Sequence, residues 1–370
     1  MLSVFCSPSR YVQGPDATRQ LAAELQKLVG TGSVLLLASH SARRLLETTW
    51  VESFSGLGIP LRIFDFGGEC SSAEIERCLL EARRIGAEVI VGAGGGKVLD
   101  TARAVASEFG KPVACCPTVA ASDAPCSALS VVYTPAGTFE KCLFYKRNPD
   151  LVLVDTRVIA AAPVRLLIAG MGDALATRFE AETARAAHKP NAVGGACTLA
   201  AAALADLCYR TLLRDGVAAV AAVKAQSVTP ALERIVEANT LLSGLGFESG
   251  GLAVAHSVHN GLTALPETHD RLHGEKVAFG TLVQLVLEGR ESALVEEVMG
   301  FCLNVGLPMT LNDLGLDKLS PAEARKVAER ALAPGETAHN EPFALTVEAV
   351  RDALFATDAW SRAFRAKNKV

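Results

Sequence analysis

An α/β protein is predicted, with an N-terminal parallel-sheet domain followed by an all-helical C-terminal domain, and three observations predict it. Short aliphatic runs alternate with amphipathic helical patterns up to about residue 155. One of those runs ends in a glycine-rich turn. After Asp155 the strand-like runs stop and long Ala/Leu segments take over. Hydrophobic strands alternating with helices imply a parallel sheet covered on both faces. At 370 residues the chain exceeds the size at which one core stops growing, so two domains are expected, 1–160 and 161–370.

In chain order, Val34-Leu-Leu-Leu37, Leu61-Arg-Ile-Phe64, Val89-Ile-Val91, Val113-Ala-Cys115 and Leu151-Val-Leu-Val154 read as buried strands. Between them Asp16–Val29, Ala42–Leu57, Ser72–Ile85 and Val98–Phe109 carry the apolar spacing of amphipathic helices. Ser71 precedes an acidic first turn, as an N-cap does. The Ala/Leu segments beyond Asp155 are interrupted at Pro163, Pro190, Pro230, Pro266, Pro308 and Pro321, which reads as a series of helices.

Half of the residues are apolar but only 5% are aromatic, so the cores must be built mainly from Ala, Leu and Val. The net charge of −4 gives no electrostatic reason to expect nucleic acid or an anionic membrane as partner. Ten cysteines are scattered without a C-x-x-C pair, which suits small buried hydrophobes in a reducing compartment. The first residues lack the charged and apolar regions of a secretory leader, and Ala196–Ala205 is too short to span a bilayer. A soluble, cytoplasmic chain is expected.

Three segments carry candidate chemistry. In Gly92-Ala-Gly-Gly-Gly-Lys97, after a strand and before a helix, Gly94, Gly95 and Gly96 let the backbone approach phosphate oxygens at a helix N-terminus. A tight turn without a ligand is the other reading, since the pattern is neither a Walker A loop nor G-x-G-x-x-G. The second segment, Pro117–Tyr133, follows a strand end and lies in a stretch without Lys, Arg or His from 112 to 140. A loop gripping an anion should supply a cation, so this one suits a neutral hydroxylated substrate. Asp123 can accept hydrogen bonds from a diol there, or form an Asx-turn before Pro125.

The third segment set is Asp173, read as a helix start after Gly170-Met-Gly172, with His256 on a helical pattern beginning near Glu248 and His273 before Gly274-Glu-Lys276. A carboxylate and two imidazoles suit a divalent-metal site with an open coordination position. A dipole partner at a helix start and isolated histidines are the competing reading, which spacing alone leaves open. His259, one turn after His256, is a further ligand, a proton relay or a structural residue. A metal together with a dinucleotide site suggests hydride transfer to or from an alcohol.

Several long motifs in order extend over almost the whole chain: Gly94–Thr101, Ala121–Tyr133, Ala169–Thr177, Gly246–Ala253, Val258–Pro266, His273–Gly280 and Gly335–Asn340. With them the sequence resembles the glycerol dehydrogenase family, a zinc-dependent branch of the iron-containing alcohol dehydrogenase superfamily. The resemblance implies a Rossmann-like nucleotide domain plus a helical domain, the dehydroquinate synthase-like fold, with the active site in the cleft between them. It implies Asp173, His256 and His273 as zinc ligands and, with the substrate-contacting Asp123, as the catalytic set. Gly94, Gly95, Gly96, Lys97, Val98, Leu99, Asp100, Thr118, Val119, Ala120, Ala121, Ser127, Leu129 and Tyr133 fall where that family holds its NAD. The activity implied is reversible oxidation of glycerol to dihydroxyacetone by a homo-oligomer, commonly an octamer, acting on a small neutral polyol.

Two positions depart from the wider pattern. Thr177 stands where iron-dependent relatives carry a further histidine, which favours a three-ligand zinc site. Ser39 stands where such enzymes usually have an aspartate for the adenosine ribose, with Arg43 and Arg44 close by, so NADP is an additional candidate cofactor. The alternatives are an NADP-linked reductase of another small hydroxyketone or 2-oxo acid, and a dehydroquinate-synthase-like lyase. The cation-free stretch speaks against the acid substrate, and it lacks the basic cluster the lyase would need.

Overall fold

Runs of Val, Leu and Ile too apolar to face water become the inner strands of a six-stranded parallel sheet. The computed structural model of the chain describes residues 1–134 and 137–368. Its first elements are β1 (Tyr11–Gly14), α1 (Leu21–Val29), β2 (Val34–Ala38), α2 (His40–Gly56), β3 (Leu61–Asp65), α3 (Ser72–Ile85), β4 (Val89–Gly94) and α4 (Gly96–Phe109). Then come β5 (Val113–Pro117), the antiparallel hairpin β6 (Leu129–Tyr133) and β7 (Phe139–Phe144), β8 (Leu151–Asp155) and α5 (Thr156–Ala160). The sheet order is β1-β8-β5-β4-β2-β3, every pair parallel. All five expected strands are present. β2, β4, β5 and β8 are buried along their whole length, as two-sided coverage requires.

From β2 the chain steps outward to β3, then returns past β2 to β4 and continues to β5 on the other side. The direction therefore reverses between β2 and β4. Ligands of open α/β sheets bind at the carboxyl ends of strands at such a switch point, and here those ends are Ser39 and Gly94. Ser71 caps α3 as expected, its hydroxyl accepting from Glu74 N–H at 3.3 Å.

The remaining helices are α6 (Val164–Ala186), α7 (Leu199–Lys224), α8 (Pro230–Glu237), α9 (Ser243–Gly250), α10 (Val254–Leu262), α11 (His273–Leu287), α12 (Ser292–Val305), α13 (Pro321–Ala331) and α14 (Val347–Asn368). Pro230 and Pro321 open their helices, where proline lacks only an N–H that would be orphaned anyway. No helix among the described residues is long and apolar enough to cross a membrane.

By contacts the chain forms two units: Cys6–Pro163 with Ala222–Leu241, and Met1–Phe5 with Val164–Ala221 and Leu242–Val370. The chain first passes from one unit to the other between Pro163 and Val164. The return of Ala222–Leu241 to the sheet-bearing unit has no compositional signal, because polar contacts hold it there. Glu233 on α8 accepts from Gln13 Nε2 at 2.8 Å and from Thr156 Oγ1 at 2.6 Å, and Thr240 Oγ1 lies 2.8 Å from Tyr11 Oη. Those same contacts anchor β1, an edge strand too short and polar to stand out in the sequence.

Candidate metal centre and dinucleotide turn

Three helices of the helical unit build the first site. Asp173 does not start a helix: it lies in the interior of α6 and is fully buried, so the helix-dipole reading is corrected. Gly170 and Gly172 look like helix breakers in the sequence, but Gly172 serves close approach. A Cβ on Gly172 would lie 2.3 Å from Gly274 O, and one on Gly274 would lie 1.8 Å from Ala169 O. With only hydrogens at that crossing, the first turn of α11 rests on α6, and His273, its first residue, meets Asp173.

His256 is on α10, which begins at Val254 rather than near Glu248, since Gly251–Ala253 separate it from α9. Glu180, two turns beyond Asp173 on α6, fixes this start. Its Oε1 accepts from Ala253 N–H (2.9 Å) and His256 N–H (3.0 Å), two donors that a helix N-terminus leaves without intrahelical partners. Its Oε2 lies 2.6 Å from His256 Nδ1.

Asp173 Oδ1 lies 3.4 Å from His256 Nε2 and 3.0 Å from His273 Nε2. His273 Nδ1 is 3.0 Å from His259 Nε2, and His259 Nδ1 is 3.0 Å from Asn260 Oδ1. Assigning tautomers from these contacts commits both ligand Nδ1–H groups, one to Glu180 and one to His259. The two Nε2 lone pairs then converge on a carboxylate oxygen, an arrangement that is relieved either by protons on the imidazoles or by a bound metal ion. Donors about 2.0–2.2 Å from a tetrahedral ion stand about 3.4 Å apart, so Asp173, His256 and His273 fit a divalent metal. Their ligand atoms all lie within 4.8 Å of one another.

The local charges show that the site favours positive charge at this point, which protons supply when no metal ion is bound. Burial works against a His256 cation, yet Glu180 and Asp173 together outweigh it and raise its pKa well above the ordinary value. Burial likewise opposes the Asp173 carboxylate, but His273 and His256 hold its pKa far below the usual range. Burial, with His273, Lys276 and His256 nearby, pushes His259 well down, so it is the neutral acceptor that His273 Nδ1–H requires. Thr177 is buried, with Oγ1 2.7 Å from Ser243 Oγ.

The second candidate set lies in the sheet-bearing unit. β4 ends at Gly94, Gly95 is the N-cap of α4, and Gly96 is its first residue. Among the described residues, and apart from chain neighbours and the helix's own backbone, no atom stands within 4 Å of where a Cβ on Gly95 or Gly96 would be, so the turn presents bare backbone. Val98 and Leu99 are core residues, each 1% exposed, and can offer a ligand only backbone. Asp100 is buried in an ion pair with Arg103 and also accepts from Val131 N–H. Lys97 Nζ lies 2.5 Å from Glu69 and 5.4 Å from the Tyr133 ring centre.

Loop 118–128 is pinned by its backbone. Thr118 N–H donates to Gly94 O (3.0 Å), and Asn239 Nδ2 to Ala120 O (3.0 Å). Ala124 O accepts from both Arg103 (2.6 Å) and the buried Ser127 (3.0 Å). A cation thus does reach this loop, from α4, although the segment itself has none. Val119, Ala121 and Leu129 are within or beside the same pinned stretch. Asp123 is buried at the head of the 3₁₀ turn Ala124–Cys126, and its side chain does not cap that turn, contrary to the Asx-turn alternative.

Sequence reasoning missed Glu180. The signal available was its spacing, seven residues after Asp173 and so on the same helix face.

The sequence pattern of the family described as iron-containing alcohol dehydrogenase matches residues 8–156. The chain is 52% identical to the glycerol dehydrogenase of Thermotoga maritima over 98% of both chains. It is 48% identical to the glycolaldehyde reductase of Halobacterium salinarum, over 99% of this chain and 100% of that one. The crystal structure of glycerol dehydrogenase from Schizosaccharomyces pombe superposes with a TM-score of 0.95 at 39% identity, covering 98% of this chain and 92% of that one.

Proposed function

This chain belongs to the iron-containing alcohol dehydrogenase family, and on that premise we propose that it oxidises glycerol reversibly to dihydroxyacetone with NAD as hydride acceptor. The observation that carries the reading is the convergence of His256 Nε2 and His273 Nε2 on buried Asp173, each imidazole oriented from behind. A divalent metal held there supplies Lewis-acid polarisation of a substrate hydroxyl. Three protein ligands, with Thr177 turned to Ser243, leave coordination open and favour zinc over iron.

The chain's own residues do the rest. Asp123 orients the polyol by accepting hydrogen bonds from its hydroxyls. Gly94–Lys97 offer backbone to the pyrophosphate at the start of α4, with Thr118–Ala121, Ser127, Leu129 and Tyr133 completing the dinucleotide site. Glu180 and His259 hold the Nδ1 protons of the two ligand histidines, leaving both Nε2 lone pairs directed at the metal. Family membership also supports a cytoplasmic homo-oligomer.

The test is His256→Ala. Elemental analysis should show zinc lost, and glycerol oxidation should fall below detection in the same preparation. A variant with full turnover and no bound metal would sink the assignment. A second reading, reduction of a small hydroxyaldehyde, has the support of the glycolaldehyde reductase relative. A higher kcat/KM for glycolaldehyde than for dihydroxyacetone would favour it.

A further inference from the structure

The dinucleotide reading leaves unexplained how this chain handles the adenosine ribose without an acid at position 39. Ser39 directly follows β2, and its hydroxyl caps α2 by accepting from Ala42 N–H at 3.2 Å. It lies against the turn: a Cβ on Gly94 would be 2.7 Å from Ser39 Oγ. With no carboxylate at 39, and Arg43 one helical turn on, the sequence alone looks open to a 2′-phosphate.

The structure shows Arg43 already committed. Its Nε and Nη2 pair with both oxygens of Glu47 at 3.0 and 2.9 Å, and Nη1 reaches Asp65 at 2.7 Å. Asp65 ends β3 in register with Ala38, so its carboxylate stands one strand over from the residue before Ser39. Two carboxylates against one guanidinium leave this corner with a net charge of about −1 at neutral pH. Two further cations near these strand ends are held as well, Arg77 by Glu74 at 2.7 Å, with its Nη2 also on Asp65 O at 2.6 Å, and Lys97 by Glu69, whereas Arg44 is exposed.

We propose that Asp65 and Glu47, by holding Arg43 between them, do the work of the missing aspartate and select against a 2′-phosphorylated dinucleotide. The proposal rests on the dinucleotide reading of this turn. A ribose diol finds hydroxyl and carboxylate acceptors there. A 2′-phosphate must instead draw Arg43 away from two carboxylates that then face it, and like-charge contact of this kind is a strong discriminator. These pairs are a third to a half exposed, so each is individually weak. The selectivity resides in the excess negative charge rather than in a rigid bridge.

Equilibrium titration of the full-length protein with NADH and NADPH, by calorimetry and without substrate, tests this. The wild type should bind NADH at least roughly tenfold more tightly than NADPH. Asp65→Asn should narrow the ratio, and Asp65→Asn with Glu47→Gln should narrow it further by tightening NADPH, while an unchanged far-UV circular dichroism spectrum and melting temperature check that the variants fold. Asp65→Glu should keep the wild-type ratio. Wild-type affinities equal within about threefold, a ratio unmoved by the double variant, or wild-type NADPH binding that depends on the exposed Arg44 would each overturn the proposal and leave the dinucleotide reading standing. A wild type that binds neither nucleotide would overturn both.

Discussion

At the proposed metal centre each imidazole is held by a second side chain, whereas the Gly92–Gly96 turn presents mainly backbone to whatever binds it. Asp173 and Glu180 are fully buried, and the helices that carry the ligands touch through glycine. The charged pairs at the strand ends, Arg43–Asp65 and Lys97–Glu69, are by contrast partly exposed. Buried charges lose much when one partner is removed, while exposed pairs are worth little singly. Substitutions at the metal centre should therefore be severe and coupled to folding. Those at the turn should be graded and felt mainly in ligand affinity.

The sharpest way to break this comparison is a methyl group on each side of it. In Gly274→Ala the added carbon meets the Ala169 carbonyl at 1.8 Å, forcing α6 and α11 apart. We expect a loss of about 3 kcal/mol or more in stability, measured by denaturant unfolding, with metal retention lost in parallel. In Gly95→Ala the new carbon meets nothing, and stability should stay within about 0.5 kcal/mol of wild type. Dinucleotide binding should nonetheless weaken roughly tenfold, since the methyl occupies the space where backbone approaches phosphate. Equal stability losses in the two variants would contradict the contrast.

Much of the sheet-bearing unit is legible in the sequence because β2, β4, β5 and β8 are buried on both faces and so read as unbroken aliphatic runs. β1, β6 and β7 are not legible: β1 is short and half-exposed, and β7 is exposed along nearly its whole length. At the metal centre the three residue types are visible, but their convergence is not, because it depends on a helix crossing. The glycines that permit that crossing look like helix breakers. Glu180 looks like any helical glutamate until its two bonds to the start of α10 are seen. Ser39 shows the same limit from the other side. Its substitution is plain in the sequence, but the carboxylates that compensate for it lie on the following helix turn and the neighbouring strand.

Glu180→Gln sharpens the comparison at a smaller scale. The shape is kept and one Nδ1–H acceptor survives, but the charge that makes His256 basic is removed. Metal affinity should fall about 10- to 100-fold, read by competition with a chromophoric chelator, while the fold remains. An unchanged affinity would mean that helix packing alone orients His256.

The smallest effect expected is a pH dependence set by one buried carboxylate of the helical unit. Glu341 is 4% exposed, and neither of its carboxylate oxygens makes a well-formed hydrogen bond among the described residues. Burial, with Glu288 and Glu180 nearby, pushes its pKa up to about 8, and Arg290 and the Val254 N–H relieve this only in part. An unfolded glutamate ionises near 4.3. Below that value both states are protonated and the group has no effect on stability. Between about pH 4.3 and 8 the unfolded chain sheds its proton first, so stability falls as pH rises, and above about 8 the loss is complete. Glu341→Gln removes this dependence. Its melting temperature should match wild type at pH 5 and exceed it by roughly 2–4 °C at pH 9. Asp65→Asn, which alters a half-exposed carboxylate beside the turn, should show no comparable divergence over that range. Parallel melting curves for Glu341→Gln and wild type from pH 5 to 9 would mean that the helical unit tolerates this buried charge, and the contrast between the two regions would then rest on packing alone.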